Sequence, residues 1–183
     1  MGKVSWGKHI CQLYRSREDL IHSIVPFLLG GLRNNERCMF GAGMPFYADE
    51  LKGELSKAHP RFRECLDKGQ ITVFDHHEWY VSNPSSDPVK DLLEVEKRAL
   101  ADGYRGLRCG GNISWITRKD WDSFNDYEHR VNAAMSSRRL LAICCYDLTR
   151  CEGSEVFDVI RTHHYTIARQ QGEWDMYETS RRA

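Results

Sequence analysis

His9 and Cys11 stand two residues apart in the apolar stretch His9–Tyr14, and on an extended strand residues two apart share a face. An imidazole and a thiol so placed can hold a metal, a small ligand or a hydrogen bond between them. Tyr14 closes the same stretch with a phenol, and His163, near the other end of the chain, is a further imidazole that could join them. A histidine satisfied within an apolar strand is nevertheless the commoner arrangement, and a metal site is defined by the identity and number of its ligands. A Cys–His catalytic pair needs a third group to orient the imidazole, which no spacing here identifies. The reading is therefore a chain without catalytic residues and without a resident cofactor. Haem or a transition metal on His9, Cys11 and His163 is the alternative.

Three other places bring chemistry-bearing residues to strand ends. Gly41-Ala42-Gly43-Met44-Pro45 follows the apolar Cys38-Met39-Phe40 and precedes a helix marked by Tyr47, Leu51 and Leu55. A Walker A loop would need GxxxxGK[ST] there, with lysine on the terminal phosphates and a hydroxyl on magnesium. Neither residue is present, so nucleotide hydrolysis is not expected at this turn. His76-His77 follows the β-branched run Gly69–Asp75, with Trp79 and Tyr80 next. Adjacent strand residues face opposite ways, so the two imidazoles cannot share one metal without a bend. Gly110-Gly111-Asn112-Ile113-Ser114-Trp115 ends a strand read over Tyr104–Cys109, where the glycines permit close approach and Trp115 offers a wall.

The elements that position these residues alternate between strand and helix. Ser16-Arg17-Glu18-Asp19 has capping-box form, followed by Leu20, Ile24, Phe27 and Leu28 at helical spacing. Pro26 predicts a kink, and Gly30-Gly31 predicts the helix end or a bend. Asp87-Pro88 is an N-cap followed by proline at the first helical position, with Gly103 as the stop. Thr117-Arg118-Lys119-Asp120 repeats the capping-box form before a helix carrying Trp121, Phe124, Tyr127, Val131 and Met135. Arg139–Tyr146 is almost continuously apolar, as suits a parallel strand covered on both faces, and ends in Asp147. A short helix over Glu155–Arg161 and a hairpin about Gly172 complete the chain. This pattern predicts one α/β domain, a mainly parallel sheet with helices on both faces.

In such a sheet, ligands bind outside the carboxyl ends of the strands. That rule gathers Gly41, Gly43, Met44, His76, Gly110, Ser114, Trp115, Tyr146 and Asp147, with His9, Cys11, Tyr14 and His163 as companions from the first and last segments. Aromatic walls, thiols and imidazoles with few charges suit a small, largely apolar ligand fixed by a few polar groups.

The order His-x-Cys-x-x-Tyr at His9, Val-Pro-Phe-Leu at Val25, Glu-Arg-Cys at Glu36, Gly106-Leu107-Arg108, Ser114-Trp115, Cys144-Cys145-Tyr146-Asp147 and Arg161-Thr162-His163 spans nearly the whole chain. In that order and spacing it resembles the MEDS domain, the sensory domain of dichloromethane-responsive regulators in methanogens and methylotrophs. The resemblance implies a RecA- or KaiC-like core, here without a Walker A loop, and a sensor of small hydrocarbon derivatives.

Composition limits the partners. The 183 residues carry 26 basic and 26 acidic side chains, a formal net charge of zero. That balance argues against a dedicated nucleic-acid binder and leaves a homodimer open. No apolar run approaches the ~20 residues of a membrane span. The amino-terminal residues lack a signal-peptide core, which predicts the cytoplasm. The seven cysteines form no CxxC pair and read as free thiols, with Cys38, Cys144 and Cys145 as buried core. Three readings follow: a non-catalytic ligand sensor acting through a regulatory protein such as a kinase or transcription regulator, a haem- or metal-linked redox sensor, and a protein-interaction module.

Overall fold

The computed structural model describes residues 4–76, 87–170 and 172–179; His77, Trp79, Tyr80 and the Asn83–Ser86 stretch lie outside them. The chain runs β1 (Lys8–Tyr14), α1 (Arg17–Arg33), β2 (Arg37–Ala42), α2 (Ala48–Ala58), α3 (Phe62–Asp67) and β3 (Ile71–Asp75). It continues α4 (Pro88–Ala101), β4 (Leu107–Asn112), a 3-10 turn at Arg118–Asp120, α5 (Trp121–Met135), β5 (Leu140–Asp147), α6 (Gly153–Thr162), β6 (Tyr165–Gln170) and β7 (Glu173–Glu178). One sheet holds the strands in the order β3-β2-β4-β5-β1-β6-β7, with only the β6–β7 pairing antiparallel.

Strand alternation divides the core. Ile10 and Tyr14 of β1, Phe40 and Ala42 of β2, and Ile143 and Cys145 of β5 pack against α1, α2 and α3. The intervening Cys11, Leu13, Cys109, Ala142 and Tyr146 face α4, α5 and α6. Every central strand is thus covered on both sides, the physical reason that β5 is apolar almost without interruption.

Several local expectations need correction. Helix α1 is capped by the Ser16 hydroxyl, which accepts from the Asp19 N–H, and holds Pro26 in its interior as expected, but it does not end at Gly30-Gly31 and runs on to Arg33. The two glycines make room for neighbours: a Cβ at Gly31 would lie 2.5 Å from Cys38 Sγ and 2.9 Å from Arg108 Cδ. Gly110 and Gly111 lie inside β4, not beyond it; a Cβ at Gly110 would meet the Ile143 carbonyl oxygen at 2.3 Å. Gly41 likewise belongs to β2. The Thr117 hydroxyl donates to the Asp120 carboxylate and caps no helix.

Arg108 crosses from β4 to α1. It donates from Nε and Nη2 to the two oxygens of Glu36, at 2.5 and 3.2 Å, and from Nη1 to the Phe27 carbonyl. Its guanidinium also lies over the Phe27 ring at 4.9 Å. Glu36 and Arg108 side chains are only 5% and 14% exposed, so removing either leaves a nearly buried charge without its partner. Arg108→Ala is expected to cost about 3–5 kcal/mol of folding free energy, measured by urea unfolding. A cost below about 1 kcal/mol, that of an exposed pair, would contradict this account.

Candidate functional site

The face of the sheet toward α4 and α5 contains a cavity of about 180 Å³. Its floor is built from alternate residues of adjacent strands: Met39 and Gly41 of β2, Phe74 of β3, Cys109 and Gly111 of β4, and Ala142 of β5. Leu92 and Val95 of α4 and Phe124, Tyr127 and Val131 of α5 cover it. Gly41 and Gly111 leave part of that floor without side chains. A Cβ on Gly111 would meet nothing closer than the Gly41 carbonyl oxygen at 3.6 Å.

At one end stand His76 and Trp115, half-buried and stacked with ring centroids 5.3 Å apart. His76 Nδ1 lies 3.2 Å from the Ala42 carbonyl oxygen, which can only accept, so that nitrogen donates. Gly43 permits this approach, since a Cβ there would lie 2.6 Å from the same nitrogen. Trp115 meets Phe124 edge-on at 6.2 Å.

The other end is polar and deep. His9, Glu128 and Cys144 line it, and the His163 ring lies 3.9 Å from that of His9. His9 Nε2 is 3.3 Å from Cys144 Sγ and 3.4 Å from Glu128 Oε2. Cys144 Sγ is 3.7 Å from Glu128 Oε1, and His163 Nε2 is 3.2 Å from Glu128 Oε2. His9, Glu128 and His163 are 0, 3 and 2% exposed. Burial, reinforced by neighbouring His163 and His164, holds the His9 imidazolium well out of reach and keeps the ring neutral. Burial and then the Glu128 carboxylate push the Cys144 thiol well up.

His163 has a defined ring orientation. Its Nδ1 lies 2.7 Å from the Val159 carbonyl oxygen, which can only accept, so Nδ1 carries a hydrogen and Nε2 is the nitrogen turned toward Glu128. Nε2 faces a carboxylate oxygen at 3.2 Å. Neither atom has a satisfying hydrogen-bond geometry. Two buried polar atoms so close are satisfied by a proton or a cation shared between them.

The residues singled out from sequence distribute over this geometry. His9, Gly41, His76, Gly110 and Trp115 line the cavity, and His163 backs its deep end. Tyr146 meets the His163 ring edge-on at 5.7 Å, and burial pushes its phenol up. Ser114 and Asp147 border a separate depression at the strand ends, where the Asp147 carboxylate accepts from the Thr149 N–H and hydroxyl. Tyr14 is on the opposite face and donates to Asn112 Oδ1 at 2.9 Å. Asn112 donates in turn to the Gly43 and Met44 carbonyls, while the Met44 side chain is exposed. Cys11 shares a face with His9 but donates to Thr166 Oγ1 at 3.2 Å, and burial pushes its thiol up to about 12.

Glu128 and Cys144 were not among the sequence candidates. Glu128 carried a signal: Phe124, Glu128, Val131 and Met135 form the buried stripe of α5, so a carboxylate occupies a core position at helical spacing. Cys144 read as one more apolar member of β5.

A larger open groove, about 880 Å³, lies around Phe27, Glu36 and Arg108 on the opposite face. Its charged groups already satisfy each other.

The family model described as "MEthanogen/methylotroph, DcmR Sensory domain" matches residues 8–164. The chain belongs to the MEDS family. It is also 24% identical over 166 residues to the transcriptional repressor DcmR of Methylorubrum extorquens, covering 89% of this chain and 60% of that protein. The MEDS chain thus spans about three fifths of that curated relative. Among solved structures it resembles the flagellar accessory protein FlaH from Methanocaldococcus jannaschii, with TM-score 0.57 and 12% identity over 96% of this chain and 78% of that one. A KaiC-like protein from Pyrococcus horikoshii OT3 gives TM-score 0.58 and 14% identity over 96% and 79%. The architecture is RecA/KaiC-like, and the family is one of sensory domains.

Cys11 and Cys144 pair side by side in the β1–β5 register yet have different neighbours. Cys11→Ala, which loses the Thr166 hydrogen bond, is expected to lower folding free energy by about 1 kcal/mol without changing occupancy of the cavity. Denaturant unfolding and ligand-induced thermal shift on one sample test this; lost ligand response with unchanged stability would move Cys11 into the site.

Proposed function

We propose that this MEDS domain is a non-catalytic sensor that binds a small organic molecule between the sheet and helices α4 and α5. The observation that carries the reading is a cavity with apolar walls and one buried polar end. Its volume, about 180 Å³, is close to the roughly 150 Å³ of an apolar protein cavity that accepts benzene, and below the roughly 300–1,000 Å³ of drug-sized sites. One-carbon and methylated compounds, small alcohols, thiols and halogenated hydrocarbons fit that size and polarity. A nucleotide does not.

The strand–helix junctions support the same reading. Arg15-Ser16 alone connects β1 to α1, and Gly43–Tyr47 connects β2 to α2; neither carries the lysine and hydroxyl of a phosphate loop. The thiols also argue against nucleophilic chemistry: Cys11 and Cys109 are pushed up to about 12, both mainly by burial, and reactivity belongs to the thiolate. Signal output passes to a regulatory protein, a kinase or transcription regulator, or to further sequence of the kind DcmR has beyond the matched region. Ligand occupancy is read as a shift in how α4 and α5 seat on the sheet, since both wall the cavity.

Gly111→Val places a side chain in the void from a strand position that valine adopts readily. It should abolish thermal shifts and native-mass adducts from a panel of dichloromethane, methanol, methanethiol and trimethylamine, while leaving melting temperature within a few degrees of the parent. Undiminished binding in a folded Gly111→Val protein would place the ligand elsewhere. Purified protein with magnesium and ATP should show no turnover, and turnover above a no-protein blank would reopen the enzymatic reading.

A further inference from the structure

We propose that the polar end of the cavity is a site for a divalent transition metal of the zinc type, held by His9 Nε2, His163 Nε2, Cys144 Sγ and a Glu128 carboxylate oxygen. This deepens the sensor reading by giving the small ligand a cation to meet, but the metal site stands on its own geometry.

The four ligand atoms all lie within 4.8 Å of one another. Donors bound at about 2.0–2.3 Å around a tetrahedral centre stand about 3.3–3.8 Å apart. With Oε2 as the Glu128 ligand atom, three of the six separations are 3.2, 3.3 and 3.4 Å, and Cys144 Sγ meets the other oxygen, Oε1, at 3.7 Å. These separations are close to those of a tetrahedral ligand set before any ion enters. The His163 ring is oriented by Val159, an arrangement typical of metal-bound histidine, with Nε2 turned toward a carboxylate oxygen. Glu128 Oε2 and His163 Nε2 are both buried without a hydrogen-bond partner, so a cation between them satisfies both.

Charge agrees with geometry. Two neutral imidazoles, one carboxylate and one thiolate bring two negative charges, which a divalent ion cancels in a site that excludes water. Binding converts the Cys144 thiol to thiolate and releases its proton to solvent. Mixed nitrogen, sulfur and oxygen donors in tetrahedral array suit zinc, with cobalt(II) as a spectroscopic substitute. Three of the four donors line the cavity, so the ion would face the space where a ligand's halogen, oxygen or sulfur comes to rest.

The test is titration of the untagged, chelator-treated full chain with cobalt(II) chloride under reducing conditions. One cobalt per chain is expected, with a thiolate-to-cobalt charge-transfer band, intense tetrahedral d–d bands, and loss of both on adding zinc. Cys144→Ser, which keeps the side-chain volume, should remove the charge-transfer band; Cys11→Ser should keep it. Glu128→Gln and His163→Ala should each weaken cobalt binding at least about tenfold, with far-UV circular dichroism showing that they fold. Gly111→Val should retain the cobalt spectrum while losing the organic ligands, separating the metal from the cavity. Absence of a saturable cobalt spectrum in the parent protein, or a charge-transfer band that survives in Cys144→Ser, would overturn the proposal.

Discussion

Strand β4 is fixed at both ends by polar side chains on the same face, and the layout of the domain depends on that fixation. Arg108 ties its amino end to Glu36 and the Phe27 carbonyl. Asn112 ties its carboxyl end to the Tyr14 hydroxyl, the Ser114 N–H and the Gly43 and Met44 carbonyls. Between these anchors the strand can do without large side chains. Gly110 lets β4 sit against Ile143 of β5, and Gly111 leaves the opposite face bare. An isolated strand with adjacent glycines would be entropically weak. Pairing with β2 and β5 along its length, with polar anchors at each end, offsets that weakness and leaves an unfilled volume under α4 and α5.

That arrangement sets the candidate cavity apart from the usual ligand location in this fold class. Ligands of open α/β sheets commonly lie beyond the carboxyl ends of the strands. In this domain Asn112 draws Tyr14 and the Gly43–Met44 turn together across that edge, using every hydrogen-bonding atom of its amide. Apart from the depression that Ser114 and Asp147 border at that edge, space appears on the sheet face under α4 and α5. The same packing explains why the polar end is buried: His9 precedes the carboxyl end of β1 by five residues, and Cys144 precedes that of β5 by three.

Much of this fold was legible in the chain. Ser16 before an acidic first turn marked the start of α1, Asp87-Pro88 that of α4, and the uninterrupted apolar run of β5 announced a strand with two covered faces. Where the reading went astray, the missing information was tertiary. A glycine in sequence signals a turn; whether it lies within a strand depends on what the neighbouring strand brings up to it, as Ile143 does at Gly110. Gly30 and Gly31 look like helix terminators until Arg108 arrives from a strand more than seventy residues away. His9 and His163 were visible as imidazoles at opposite ends of the chain, and only the parallel β1–β6 pairing brings those ends together. Glu128 was harder because carboxylates are presumed solvated; its place in the α5 stripe was the one available sign.

Glu128 also shows why the deep end of the cavity is not ordinary core. A carboxylate carried into the interior loses its hydration and must be compensated by hydrogen bonds or charge. Glu96, equally buried, accepts from the Arg139 N–H and pairs with Arg138. Glu128 has no such arginine and no backbone donor among the described residues; around it are a neutral His9, a thiol held in its protonated form, the Tyr146 phenol and His163 Nε2. An apolar side chain at position 128 would meet the packing needs of α5 at less cost. The carboxylate, with two imidazoles and a sulfur gathered around it, makes sense as part of a ligand set facing a space of small-molecule size.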